Sequence, residues 1–274
     1  MADFGWSEAR HYVIDARFAD GVADAVVRLA AELVATQPDV LLTTAGSSIK
    51  ALAQATKTIP IVFAIAADPV TEGFAKSLQR PGGNLTGLTT ITADLAAKRL
   101  QLLKETFPAV SHVALLFQAN DSNSVIQVKE YEAAAPQVKV RITPIELRGP
   151  ADIEPAFARI GAIGADACAI SSGFMINVER KAIVQGILRA RLPSIGSNMV
   201  LAEAGALLTY SASVPDNFRR AAAYVDKILK GAKPGELAIE QPTKFDLVIN
   251  ARTAKAMGLS LPAPLLARAE RVIE

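Results

Sequence analysis

The chain is poor in almost every residue type on which chemistry near neutral pH depends. Among 274 residues it has one cysteine and two histidines. The lone Cys168 has no internal disulfide partner, which excludes a cystine scaffold and a cysteine-rich metal site. It lies in the apolar run 165–170 and reads as a small core residue. His11 and His112 fall just before or within predicted strands and read as structural. No HExxH pair occurs, nor a GxxxxGK[ST] phosphate loop, a GxGxxG turn or a GxSxG elbow. The sequence therefore calls for no cofactor and no metal. Charge is also balanced: 29 basic against 27 acidic residues leave a net +2, and the Lys and Arg residues are scattered. Nucleic acid and anionic membrane surfaces are not expected partners. No apolar run is long enough to span a membrane, and the first 18 residues have neither the basic nor the apolar region of an export signal. Aromatic residues make up only 5% of the chain, so a core must come from Ala, Val, Leu and Ile. The hydrophobic fraction of 51% is ample for one.

What the chain does have is a rhythm of strand-like and helix-like segments. Residues 11–18 read as a strand, followed by a helix marked by Val26, Leu29, Leu33 and Val34. Residues 39–44 read as a strand and 47–58 as a helix capped by a hydroxyl residue. Segment 58–90, TIPIVFAIAADPVTEGFAKSLQRPGGNLTGLTT, holds a nearly all-apolar strand, the corner Asp68-Pro69, a short helix stopped by Pro81-Gly82-Gly83, and a second strand. Such apolar, branched strands suit parallel sheets covered on both faces. Asp94 reads as the N-cap of a helix whose Ala96, Leu100, Leu103 and Phe107 share a face. Further on, 112–117, 138–147, 165–171, 193–197 and 206–211 read as strands, and 245–250 as the last clear one. Helices are expected up to about 135 and over 152–163, 179–191 and 216–230, with a helical turn at 199–204. Single helices between strands imply right-handed crossovers. About nine strands favour two lobes over one sheet.

The recurring chemistry is a strand that ends in hydroxyl and amide residues ahead of a helix. Residues 43–48 (TTAGSS), 118–123 (QANDSN) and 171–177 (SSGFMIN) are three such corners. In open α/β sheets ligands bind at the carboxyl ends of the strands, and helix N-termini offer free N–H groups to carboxylates or phosphates. Carboxylates in polar corners are Asp68, Asp121 and Glu203. Phe174 follows a glycine in a loop and is placed to stack on a ligand. Tyr210 ends a strand.

Several blocks resemble a known family. The IPIVF, DPV and RPGGNLTG elements of 58–90, the AKRLQLL run at 97–103, the NDSN corner at 120–123 and EAGALLTYS at 203–211 are similar to bacterial ABC-transporter substrate-binding proteins of the tryptophan/tyrosine-uptake type. ILKGAKP at 228–234, QPTKFDLVIN at 241–250 and TAKAMGL at 253–259 extend the resemblance over the whole chain. It implies an α/β fold of the type I periplasmic-binding-protein kind, with two doubly wound, mainly parallel lobes joined by crossovers. On that pattern 1–88 with 211–238 form lobe one, and 89–210 with 239–274 form lobe two. A small molecule would be captured between them by hinge closure and passed to ABC permease subunits, with the protein periplasmic or lipid-anchored outside the inner membrane. The implied ligand-binding residues are Thr44, Ser47, Ser48, Asp68, Asn120, Asp121, Asn123, Ser172, Phe174, Asn198 and Tyr210.

Two departures accompany the resemblance. Relatives often carry an Asp-Pro-Phe-Phe corner where this chain has Ser172-Gly-Phe-Met175. A ligand ammonium group would then need another anionic partner, for which Asp68 and Asp121 remain. Relatives also begin with an export signal and a first strand-helix unit ahead of the part matching residues 5–21. The first strand is expected between those matching 11–18 and 39–44, so lobe one reads as N-terminally incomplete, with open strand edges and a start placed too far downstream. The leading expectation is a solute-binding component for an aromatic amino acid or related carboxylate that binds without turnover. The alternatives are a two-lobed racemase or lyase using Asp68 or Asp121 as base, and the sensor half of a transcription regulator.

Overall fold

The computed structural model describes residues 1–19, 22–44, 46–66, 68–90 and 95–274. In chain order the elements are α1 (Ala23–Ala35), β1 (Leu41–Thr43), α2 (Gly46–Ala55), β2 (Ile61–Ala66), β3 (Leu85–Thr89), α3 (Leu95–Thr106), β4 (His112–Gln118), α4 (Ser122–Ala134) and β5 (Arg141–Leu147). They continue with α5 (Ile153–Ala162), β6 (Ala167–Ile170), α6 (Phe174–Val178), α7 (Arg180–Ala190), β7 (Ser194–Gly196), α8 (Met199–Ala204) and β8 (Leu208–Ala212). The last are α9 (Val214–Leu229), β9 (Phe245–Asn250), α10 (Ala251–Met257), α11 (Ala263–Leu266) and β10 (Arg271–Ile273). The chain forms two compact units, Met1–Thr92 with Ser213–Lys244, and Ala93–Ala212 with Phe245–Glu274.

Unit 1 holds the parallel sheet β1-β2-β3. Alternation along β2 sends Ile61 and Phe63 toward Ile49 and Leu52 of α2 and Ala30 of α1. It sends Val62 and Ala64 toward Ala221 and Tyr224 of α9. Both faces are thus covered, which is why this strand is apolar throughout. Gly87 on β3 pairs with Phe63. Its φ of 146°, and the 2.0 Å that would separate an added Cβ from the Phe63 carbonyl oxygen, admit only glycine. Asn84 Nδ2 donates to the Ile59 carbonyl at 2.7 Å, and Thr86 Oγ1 to the Leu237 carbonyl at 2.8 Å.

Unit 2 holds a seven-stranded sheet of order β10-β9-β8-β7-β6-β4-β5, parallel except for the β8–β9 pair. Val113 and Leu115 of β4 face Leu100, Leu103 and Tyr131 of α3 and α4. Ala114 and Leu116 face the other way, toward Ile153 and Ile160 of α5 and Ile183 and Ile187 of α7. Pro144 is carried by β5, an edge strand, where its missing N–H is tolerated. Cys168 is fully buried in the second layer, and burial pushes its thiol up to about 12. Asp166 accepts from the backbone N–H groups of Ser111 and His112 at 2.9 Å each and so ties β4 to the turn before β6.

Four expectations are corrected. Residues 11–18 form no strand: Tyr12 makes one isolated bridge to Glu8, and Val13 and Ile14 are 84% and 62% exposed. Strand β1 pairs with β2 alone among the described residues, so no ladder reaches that segment. The helix expected after Asp68-Pro69 is a series of turns, because the single turn closed by Glu72 N–H to the Asp68 carbonyl ends at Gly73 with φ 76°. Phe245–Asn250 is not the last strand, since β10 pairs with it in parallel. The helix expected over 179–191 is preceded by α6, so Phe174 opens a short helix instead of lying in a loop. The proposed cap Asp94 lies outside the described residues.

The Gly87 geometry yields a direct expectation. Gly87→Ala should lower unfolding stability by about 2–4 kcal/mol, through strain and a backbone clash. Urea denaturation would read this as a lower midpoint, and an unchanged midpoint would refute the close approach.

Candidate functional site

Unit 2 concentrates its polar side chains at the carboxyl ends of β4, β6 and β7. Gln118, the last residue of β4, is buried, and its Nε2 donates to Asn120 Oδ1 at 2.9 Å. Its Oε1 accepts from the Met175 N–H at 3.0 Å, which links β4 to the start of α6. An added Cβ at Gly173 would lie 2.6 Å from that same Oε1, so a glycine is what allows the contact. Behind it, Ser124 Oγ accepts from the Gln118 N–H at 2.8 Å and shares a hydrogen bond with Ser171 Oγ at 2.6 Å.

Ser172 is the hub of the next layer. Its Oγ accepts from Asn123 Nδ2 at 2.7 Å and from Gln127 Nε2, while its N–H donates to Gln127 Oε1 at 3.2 Å. Asn177 of α6 accepts at Oδ1 from Asn198 Nδ2 at 2.9 Å. Asn198 also caps α8, taking the Leu201 N–H at 3.4 Å. Every one of these groups is a neutral amide or hydroxyl. Asp121 caps α4, accepting the Ser124 N–H at 2.8 Å. Phe174 stands beside them 55% exposed. Tyr210 does not end its strand as expected: it is the middle residue of β8, paired with Leu247, and stacks on Phe245 with ring centres 5.8 Å apart. Burial raises its phenol pKa, against the opposing charges of Arg268 and Arg99.

In unit 1 the corresponding edge is formed by the ends of β1 and β2. Thr44 and Ser47 are exposed, and Ser48 Oγ accepts from Thr43 Oγ1 at 2.8 Å. Asp68 Oδ1 accepts from the Val70 and Thr71 N–H groups at 3.1 and 3.0 Å, and Oδ2 from Thr71 Oγ1 at 2.6 Å. Partial burial would raise its pKa, but the hydrogen bonds from Thr71 and Val70 outweigh it and hold the carboxyl below its ordinary 3.8. Both carboxylates marked as possible bases are therefore engaged in capping. Glu203, the third, is ion-paired with Arg271 at 2.8 Å.

The histidines have structural partners. His112 is buried, and its Nδ1 takes a hydrogen bond from Arg141 at 2.7 Å. A guanidinium can only donate, so the ring proton sits on Nε2 and goes to Thr143 Oγ1 at 2.8 Å. His11 Nδ1 accepts the Ser7 N–H at 3.0 Å. Among the described residues no group of three or more His, Cys, Asp and Glu side chains is placed to hold a metal ion. Among them, too, no helix is long and apolar enough to cross a membrane.

Within unit 2 the fold brings Asn120, Asp121, Asn123 and Ser172 into one network, with Asn198 joined to Asn177 at its border. Within unit 1 it leaves Thr44 and Ser47 at the end of β1 and closes Asp68 into its own turn. Sequence reasoning passed over Gln118, Gln127 and Asn177. Gln118 and Asn177 stood inside quoted polar corners, whereas Gln127 lies in mid-helix and carries no local signal. Gln118→Ala should cost about 1 kcal/mol, because the half-buried Met175 N–H loses its acceptor, and hydrogen exchange at Met175 should rise. A protected Met175 amide would sink that role. Asp68, with its pKa lowered on folding, stabilises the native state above the ordinary carboxylate range, and that contribution is lost as pH falls through its folded pKa. Asp68→Asn should therefore flatten the acid limb of a melting-temperature profile below pH ~4.

Comparisons with known proteins agree over the full length. A curated tyrosine-binding protein of Clostridioides difficile is 23% identical over 262 residues, covering 94% of this chain and 74% of the relative. A Streptococcus pneumoniae ABC domain solved in complex with L-Trp is 25% identical with a TM-score of 0.89, covering 99% of this chain and 91% of that one. A conserved domain protein of Vibrio cholerae is 28% identical with a TM-score of 0.88, covering 99% and 90%. These neighbours share the type I periplasmic-binding-protein-like fold. A family profile described as ABC transporter substrate binding protein matches residues 1–273, and the chain belongs to that family.

Proposed function

We propose that the protein captures an aromatic amino acid or a closely related carboxylate for an ABC importer, binding it without turnover. The observation that carries this reading is the neutral amide-hydroxyl network at the carboxyl ends of β4, β6 and β7, with Phe174 exposed beside it. Neutral donors and acceptors orient a zwitterion without fixing a proton, which suits reversible capture. The tyrosine- and L-Trp-binding relatives support the aromatic choice. Asn120, Asn123, Ser172, Phe174, Asn198 and Tyr210 are the proposed ligand-facing residues of unit 2. Thr44, Ser47, Ser48 and Asp68 are those of unit 1, with hinge closure as the means of capture. The proposed partners are permease subunits, and the proposed location is outside the inner membrane.

The enzyme alternative asks Asp68 or Asp121 to act as a free base. Asp68 has both carboxylate oxygens engaged, and Asp121 serves as a helix cap. That weighs against proton abstraction.

Thermal unfolding with L-tyrosine and L-tryptophan tests the proposal. A ligand at 100 times its dissociation constant adds about 2.7 kcal/mol of stability, so a clear upward shift is expected, with the amino acid recovered unchanged by chiral chromatography. No shift with either would reject the ligand class, and a changed amino acid would reject pure binding.

A further inference from the structure

Arg99, in the second turn of α3, is only 4% exposed. Its Nε donates to the Tyr210 carbonyl at 2.8 Å, and its Nη2 to the Ser197 carbonyl at 3.4 Å. Ser197 is the first residue past β7 and immediately precedes Asn198. The guanidinium therefore bridges the end of β7 at the candidate site and the middle of β8. Among the described residues it makes no ion pair. The half-buried carboxyl of Glu130 feels its charge but does not reach it, and burial raises the pKa of that carboxyl. Tyr131 Oη and Ser197 Oγ are buried without a hydrogen bond of ordinary geometry.

Two carbonyls satisfy N–H groups, and among the described residues no carboxylate forms an ion pair with the charge. A charge held away from water acts over longer distances than an exposed one. The network above it is neutral, and Asp121 is committed to its cap. Two other cations stand near. Arg268 is ion-paired with Glu105 at 3.0 Å. Arg180 donates to the Asn177 carbonyl at 2.6 Å but is more exposed to solvent, which screens it.

Resting on the proposed capture of an aromatic amino acid, we propose that Arg99 is a positioning and specificity-determining residue. It holds the end of β7 at Ser197 and the middle of β8 at Tyr210 through their carbonyls, and its charge, which pairs with no carboxylate among the described residues, favours a solute bearing a carboxylate over the same solute without one. The group it selects is the carboxylate, with the aromatic ring left to other side chains.

Calorimetric titration of the full chain with L-tryptophan and L-tryptophanamide, and with the tyrosine pair, separates this from a purely structural role. Arg99→Met should weaken the acid about tenfold and the amide less than about twofold. Arg99→Lys keeps the charge but not the fork, so both ligands should weaken together with their ratio kept. Glu130→Gln removes a negative charge that interacts with Arg99 and should strengthen the acid alone. If Arg99→Met does not melt cooperatively, the Lys and Gln variants decide. Equal loss of acid and amide in Arg99→Met, a ratio erased by Arg180→Met instead, or no effect of Glu130→Gln would each overturn the proposal. Wild-type protein that binds neither acid rejects the ligand reading itself, and this inference with it.

Discussion

Parallel strands whose two faces are both buried are the constraint from which the rest follows. Because successive side chains point to opposite faces, Val113 and Leu115 must meet one helical layer while Ala114 and Leu116 meet the other. The positions from Val113 to Phe117 are then committed to packing, and polar groups are excluded from that stretch. They collect where the strand stops. In β4 that residue is Gln118, and the contrast between five apolar residues, Val113–Phe117, and one buried amide defines the candidate site.

Burial and polarity meet at this edge, and the structure resolves the conflict by pairing. Gln118, Ser124, Ser171, Ser172 and Gln127 are buried or half-buried, and each finds a partner from a different segment. Such a network is stable only when its members are satisfied, so the positions of Asn120 and Asn123 follow from the groups beneath them. The carboxylates are handled differently. Asp68 and Asp121 spend their acceptors on backbone N–H groups nearby, which turns potential bases into local staples. Arg99 is the exception among buried charges, since it meets carbonyls and no carboxylate among the described residues.

Much of the architecture was legible because the apolar periodicity is strong. The strands at β2, β4, β6 and β9 and the helices between them stand close to where their patterns place them. The Asp121 cap, which involves a residue only three positions away, was passed over because Asp121 was read as a ligand-facing carboxylate or base. Residues 11–18 misled for a physical reason: a strand is not a property of the segment alone, since its backbone groups need a neighbour to bond. The turn after Asp68 misled because Gly73 ends a helical start after one turn. Phe174 was read as a loop residue because α6 is too short to show a period.

By itself, the sequence determined which segments could be buried strands, where the chain must turn, and that small neutral polar residues gather at the turns. These depend on neighbours a few residues apart. Only the tertiary structure decided which of those residues meet. Gln118 reaches a residue 57 positions away, Asn123 one 49 away, and Arg99 one 111 away. A hydrogen bond forms only within about 3 Å, and sheet order, which local pattern does not encode, sets which strand ends come that close.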